Sequence, residues 1–198
     1  KNAEGKDIEI WNIVFNEFFC SGSREELLTG KAELRPLPMK GIDTGMGLER
    51  LAMCSQGTKT IFETDLFAGF LEYEASSITE RTRRIILDHA RAVVFLIADG
   101  VEPSNKGAGY ILRRLMRRVM AHEYLMIDYW LNFENVLNKI IEKYGRFYSE
   151  MDKDKMKKVF VGEKERFIIS LAQGLKELKN IGTLNAKSAF FLFQSFGI

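Results

Sequence analysis

The sequence predicts an α+β chain, with a small antiparallel β portion followed by a mostly α-helical region, and three observations carry that prediction. Residues 8 to 19, "IEIWNIVFNEFF", are rich in Ile, Val, Phe and Trp and alternate along much of their length, with Ile8, Ile10, Asn12, Val14 and Asn16 on one face. Gly45 and Gly47 punctuate "KGIDTGMGLERLAMC", where an extended pattern gives way to a helical one. From Thr82 onward the apolar residues recur at helical spacing.

Each element follows in order. Residues 8 to 19 read as the first strand, and "SGSREELLTG" as a turn-rich loop. "KAELRPLP" reads as a short second strand stopped by Pro36 and Pro38, which cannot donate to a ladder. A third strand then turns through Gly45 and Gly47 into a helix from about Leu48. In the next helix, from Thr82 to Asp99, Ile85, Ile86, Ala92, Val93, Leu96 and Ile97 form the apolar side, Gly100 supplies a left-handed cap, and Pro103 prevents continuation. Ser104 or Asn105 is the expected N-cap of a helix over about 109 to 126. Further helices are expected at about 129 to 148 and 154 to 180, with a short last one in "NAKSAFFLFQSF" capped by Asn185.

Composition bounds the possible functions. At 198 residues, with 46% hydrophobic and 28% charged, the chain has the balance of a globular protein of one or two domains. No apolar run reaches bilayer-spanning length, and the first residues lack the apolar stretch of a secretory signal, so a cytoplasmic protein without membrane contact is expected. The start without Met and the abrupt "SFGI" suggest a piece of a longer chain. Cys20 and Cys54 lie far apart, and His89 and His122 are the only histidines, so buried thiols and neither a disulfide framework nor a zinc finger are expected.

Charge concentrates between residues 81 and 118, where nine Lys or Arg face three acids, although the whole chain carries only +2. A polyanion is the partner class this favours. Arg113, Arg114, Arg117 and Arg118 span roughly 140° of helical arc at about 100° per residue, with Ile111, Leu112, Leu115, Met116, Val119 and Met120 on the other side. The octet "DTGMGLER", residues 43 to 50, combines a carboxylate suited to an ammonium, two glycines that open the backbone to a flat ligand, and a guanidinium suited to a phosphate.

"DTGMGLER" resembles motif 3 of the class II aminoacyl-tRNA synthetases. With "EIWNIVF", "ETDLF", "DHARAVVFLIADGVEPSN" and "GYILRRLMRRV" in the same order and spacing, nearly the whole chain resembles the alanyl-tRNA synthetase family. The resemblance implies that residues 1–60 are the C-terminal part of an aminoacylation core and 61–198 a helical domain that recognises a tRNA acceptor stem. It implies alanine binding by Asn12, Asp43, Gly45 and Gly47, ATP binding by Gly47 and Arg50, and catalytic roles for Asp43 and Arg50, which matches the motif's phosphate-contacting arginine. ATP with Mg2+, alanine and tRNA(Ala) are the implied cofactors and partners, with no zinc in these residues.

The same resemblance assigns tRNA contact to Asn105, Arg113, Arg114, Arg117, Arg118 and Gln194. A short amide suits base edges in the shallow groove of A-form RNA, and arginines suit the flanking phosphates. Two departures stand out. Gly107-Ala108-Gly109 replaces the family's Gly-Arg-Gly, and Gln194 in "FQSFGI" replaces the aspartate of "YDTYGF", which is expected to alter readout of a G·U wobble pair. The Phe-rich stretch 190 to 196 is expected in the core, His89 packed between helices and His122 at the surface. A non-catalytic helical RNA-binding or interaction module is the competing reading. Motifs 1 and 2, which hold adenine and the α-phosphate in the family, are not found in these residues, so the 198-residue polypeptide alone is expected to give no alanine-dependent pyrophosphate exchange; robust exchange contradicts this.

Overall fold

The computed structural model describes residues 5, 7–70, 79–125 and 133–196. The chain divides into two compact units, residues 1–68 and 69–198. The α+β class holds: one unit is built on a two-stranded antiparallel ribbon and the other is helical.

In the first unit, β1 (Trp11–Cys20) pairs with β2 (Leu34–Met46). The register runs from Trp11 opposite Met46 to Asn16 opposite Gly41, then slips, so that Phe18 faces Pro36 and residues 37–40 stand opposite Glu17 alone. Lys40 Nζ donates to Glu17 Oε1 at 2.8 Å across this irregularity. The expected second and third strands are therefore one strand. Pro36 and Pro38 do not end it: Pro38 falls within the irregularity, without a one-to-one partner on β1, and proline is tolerated on an edge strand and at a bulge. The loop expected at residues 21–30 contains a short helix, α1 (Arg24–Leu28). Its signal is Ser23-x-x-Glu26: the Ser23 N–H donates to Glu26 Oε2 at 2.7 Å and the Glu26 N–H to Ser23 Oγ at 3.2 Å. The Ser23 backbone N–H first, and the Ser23 hydroxyl second, hold the Glu26 carboxyl below its ordinary pKa.

The strand-to-helix bend falls where the glycines place it. Gly47 is the N-cap of α2 (Leu48–Gln56), its N–H donates to Ile10 O at 3.0 Å, and Gly57, at φ 66°, closes the helix. A single 3-10 turn, Ile61–Glu63, follows. Cys20 is half-buried but Cys54 is exposed on α2, a correction to the expected burial of both thiols.

The second unit packs α3 (Glu80–Ala98), α4 (Gly107–Leu125), α5 (Phe133–Tyr144), α6 (Lys153–Asn180) and α7 (Ala186–Phe196). α3 is capped by Thr79, whose Oγ accepts from the Thr82 N–H at 3.2 Å, and Gly100 takes φ 83° just past its end. The core is made by Ile86, Leu87, Val93 and Ile97 of α3, Leu112, Met116 and Val119 of α4, Phe133 and Ile140 of α5, and Met156 and Phe160 of α6. Each such side chain contributes about 1.5–3 kcal/mol on leaving water. The part of the expected 129–148 helix before Phe133 lies outside the described residues. α7 is capped reciprocally by Asn185 and Ser188, but it buries only Leu192. Phe190, Phe191 and Phe193 are exposed, Phe190 by 63%, which corrects the expectation that this stretch is core. Among the described residues, no helix is long and apolar enough to cross a membrane.

Candidate functional site

The ribbon brings together three of the residues expected to hold an amino acid. Asn12 stands opposite Gly45 and Val14 opposite Asp43. Residues directly opposite share a face, and so do alternate residues on one strand, so Asn12, Asp43 and Gly45 occupy the same side of the ribbon. Gly45 has open space where a Cβ would be, which leaves the backbone accessible between the two polar side chains. Asp43 is exposed, and its carboxylate has no ion-pair partner among the described residues. The opposite face carries Trp11, Ile13, Phe15, Ile42 and Met46, all exposed, with the Trp11 indole donating to Thr44 Oγ1.

Arg50 sits on the first turn of α2, directly after the bend. Its Nη1 donates to Glu9 O at 2.7 Å, which ties α2 back to the residues that lead into β1. A Cβ on Gly47 would lie 3.3 Å from Arg50 Cδ and 3.4 Å from its Cγ. Gly47 thus leaves room for the arginine stem as well as starting the helix. Arg50 is exposed, and the rest of its planar fork of donors points to no ion pair among the described residues.

The four arginines of α4 do not share one environment. Arg113 and Arg117 turn toward α6, where both approach the same carboxylate oxygen: Arg117 Nε donates to Glu163 Oε1 at 2.8 Å, and Arg113 Nε lies 3.3 Å from it. Glu163 is 1% exposed. Arg117 also stacks on Phe167, its guanidinium carbon 5.6 Å from the ring centroid. Arg114 and Arg118 are exposed and have no ion-pair partner among the described residues. The expected charged arc is thus divided lengthwise into an inner pair held by Glu163 and an outer pair in solvent.

Arg113 makes a second set of bonds. Its Nη1 donates to Asn105 Oδ1 and its Nη2 to Pro103 O at 3.2 Å. The amide carbonyl of Asn105 is therefore occupied, and the Nδ2 group is the end left to face outward. Ahead of α4, Ser104 forms a local turn: its Oγ accepts from the Lys106 N–H at 3.4 Å and donates to Lys106 O at 2.9 Å, and the helix opens at Gly107. The Ser104 N–H donates to Gly109 O at 3.1 Å, folding the 102–105 segment onto the helix. A Cβ at Gly109 would meet Glu102 O and Ser104 Oγ, each at 2.3 Å. The second glycine of Gly107-Ala108-Gly109 is required by this close approach, whereas Ala108 is exposed.

Gln194 lies exposed on α7, whose end is held when Ser170 Oγ donates to Phe196 O at 2.9 Å. α6 is the element against which both α4 and α7 pack. His89 is nearly buried on α3, 3.1 Å from Asp88 Oδ2. His122 is half-buried rather than at the surface, and burial, then the Arg118 charge, lowers its pKa. Among the described residues no three His, Cys, Asp or Glu gather as a metal site. Sequence reasoning missed Glu163, yet a signal existed: it occupies the apolar stripe Met156, Phe160, Phe167, Leu171 at helical spacing, where a lone acid needs a cation.

The chain belongs to the class II (A) tRNA synthetases, which its residues 2–198 match. Within that class it is similar to alanine-tRNA ligases. It is 36% identical over 212 residues to that of Thermotoga maritima, covering 100% of this chain and 24% of the relative. It is 38% identical over 213 residues to that of Pseudothermotoga lettingae, covering 99% and 24%, and 39% identical over 217 residues to that of Fusobacterium nucleatum, covering 100% and 24%. The chain spans about a quarter of the length of the curated relatives it matches. The family expected from the sequence is thus the family found.

Gly109→Ala is expected to push the 102–105 segment off α4 at a cost of about 1–3 kcal/mol. Thermal denaturation should register the loss, and an unchanged melting temperature contradicts the close packing.

Proposed function

We propose that this chain supplies the motif 3 part of an alanine-activating site and the acceptor-stem-binding helices of an alanine-tRNA ligase. In the first step alanine and ATP give alanyl-adenylate and pyrophosphate; in the second the alanyl group passes to the 3′ end of tRNA. Asp43 pairs with the α-ammonium of alanine, and the Asn12 amide on the same face bonds the amino acid, while Gly45 and Gly47 leave its backbone and the adenylate room to lie flat. Arg50 offers its fixed charge to the ATP phosphates, where negative charge develops as the α-phosphate is attacked. Its anchorage on Glu9 O fixes the guanidinium before substrate arrives. Mg2+ accompanies the triphosphate, and no residue of this chain is assigned to it, since no carboxylate cluster suited to it gathers among the described residues.

For tRNA, Asn105 presents Nδ2 as a donor to an acceptor on a base edge in the shallow minor groove, and Arg114 and Arg118 contact the adjoining phosphates. Arg113 and Arg117 act through position: one aims the amide, and both fix α4 against α6. Gln194 faces solvent on a helix held by α6 and can reach a second base edge either as donor or acceptor. The single observation that carries the tRNA reading is the bond from Arg113 to Asn105 Oδ1, which orders an exposed amide next to two uncommitted cations.

In the full-length chain, R114A/R118A is expected to weaken acceptor-stem RNA binding on the order of tenfold or more and to lower the salt slope of log K by about two. Its alanine-dependent pyrophosphate exchange should be unchanged. Unaltered RNA affinity with an intact fold rules the assignment out.

A further inference from the structure

Resting on that reading, we propose that a groove between the Glu102–Pro103 segment and α6 is a second phosphate-binding site, which extends the RNA surface away from Asn105 through Lys155, Lys158 and Arg166. The groove encloses about 340 Å³ and is bounded by Glu102 and Pro103 on one side and by Lys155, Lys158, Gly162 and Arg166 on the other, with Glu163 at its floor. These α6 residues fall at i, i+3, i+7 and i+11, so they form one stripe roughly 16 Å long at about 1.5 Å per residue. Gly162 leaves the middle of that stripe open, with nothing within 4 Å of where its Cβ would be.

The charge balance of the groove is positive. Lys155 and Lys158 are exposed, and their ammonium groups have no ion-pair partner among the described residues. Two other lysines on α6 are committed: Lys157 pairs with Glu134 at 2.9 Å and Lys164 with Glu123 at 2.9 Å. Arg166 is 67% exposed in its side chain and only loosely drawn to Glu163 Oε2, at 3.6 Å. The acids present do not cancel this. Glu163 is countered by Arg113 and Arg117, Asp152 is occupied in capping α6, and Glu102 alone faces the three cations from the opposite rim.

Position decides which polyanion fits. Pro103 borders the groove and, through its carbonyl, accepts a bond from the same Arg113 that holds Asn105. A strand whose base edge meets Asn105 therefore runs its backbone past the groove mouth two residues away. Phosphate contacts of this kind add affinity and orientation but no base discrimination.

The test compares three charge-removing variants of the full-length chain on an acceptor-stem RNA hairpin across a salt series. K155Q/K158Q is expected to raise the dissociation constant on the order of tenfold at ~0.1 M salt and to lower the salt slope by about two, equally for G·U and G·C hairpins. K157Q/K179Q removes the same charge from α6 off the groove stripe and is expected to leave the slope as it was. If K155Q/K158Q behaves like K157Q/K179Q while R114A/R118A loses affinity, the groove proposal fails and the α4 assignment stands. If K155Q/K158Q and R114A/R118A both bind like the unmodified chain, both fail. Retained RNA binding by K155Q/K158Q with lost capture of an acidic peptide also overturns it, in favour of a protein ligand.

Discussion

The second unit depends on one buried carboxylate. Glu163 lies in the apolar stripe of α6 and is tolerated there because two guanidinium groups from α4 converge on its Oε1. A buried acid without a partner is strongly disfavoured, and removal of one member of such a pair costs about 3–5 kcal/mol. The ion cluster thus fixes the rotation of α4 about its own axis: with Arg113 and Arg117 turned inward, Arg114 and Arg118 must face water. It also fixes the loop before the helix, because the fork of Arg113 that meets Glu163 with Nε reaches Asn105 and Pro103 with its two Nη groups.

This arrangement shows how one helix can be both packed and functional. An arginine has enough donors to satisfy a buried acid and still orient a neighbour, which a lysine ammonium cannot do with comparable geometry. The apolar side of α4, with Leu112, Met116 and Val119 fully buried, sets the outward face as firmly as the ion cluster does. In the first unit the same economy rests on glycine. Gly45 keeps one ribbon face open between Asn12 and Asp43, and Gly47 starts α2 while leaving space for the Arg50 stem.

Much of this was legible in the sequence because periodicity and punctuation are local. The helix stop at Gly100, the helix start at Asn185 and the bend at Gly47 follow from side-chain spacing and cap chemistry alone, whereas the helix expected from Thr82 starts a turn earlier, with Thr79 as its cap. What was not legible depends on tertiary partners. Pro36 and Pro38 look like strand breaks until the ribbon is seen to have two open edges, and Phe190 and Phe193 look like core until α7 is seen to pack through Leu192. The Ser23 capping box and the out-of-place Glu163 were readable, but each needs the three-dimensional neighbour to be given its meaning. The split of four arginines into two roles could not be read from their arc, since only α6 decides which edge of that arc is inward.

The central claim is that Glu163 positions Asn105 for RNA recognition through the Arg113 guanidinium that both side chains share. The most direct measurement is a double-mutant cycle on acceptor-stem RNA affinity in the full-length chain, with E163Q, N105A and the combined variant. Coupling through the shared guanidinium predicts an interaction energy of about 0.5–3 kcal/mol, the second substitution costing little once the first is made. Additivity within ~0.5 kcal/mol, with both single variants folded, contradicts the account.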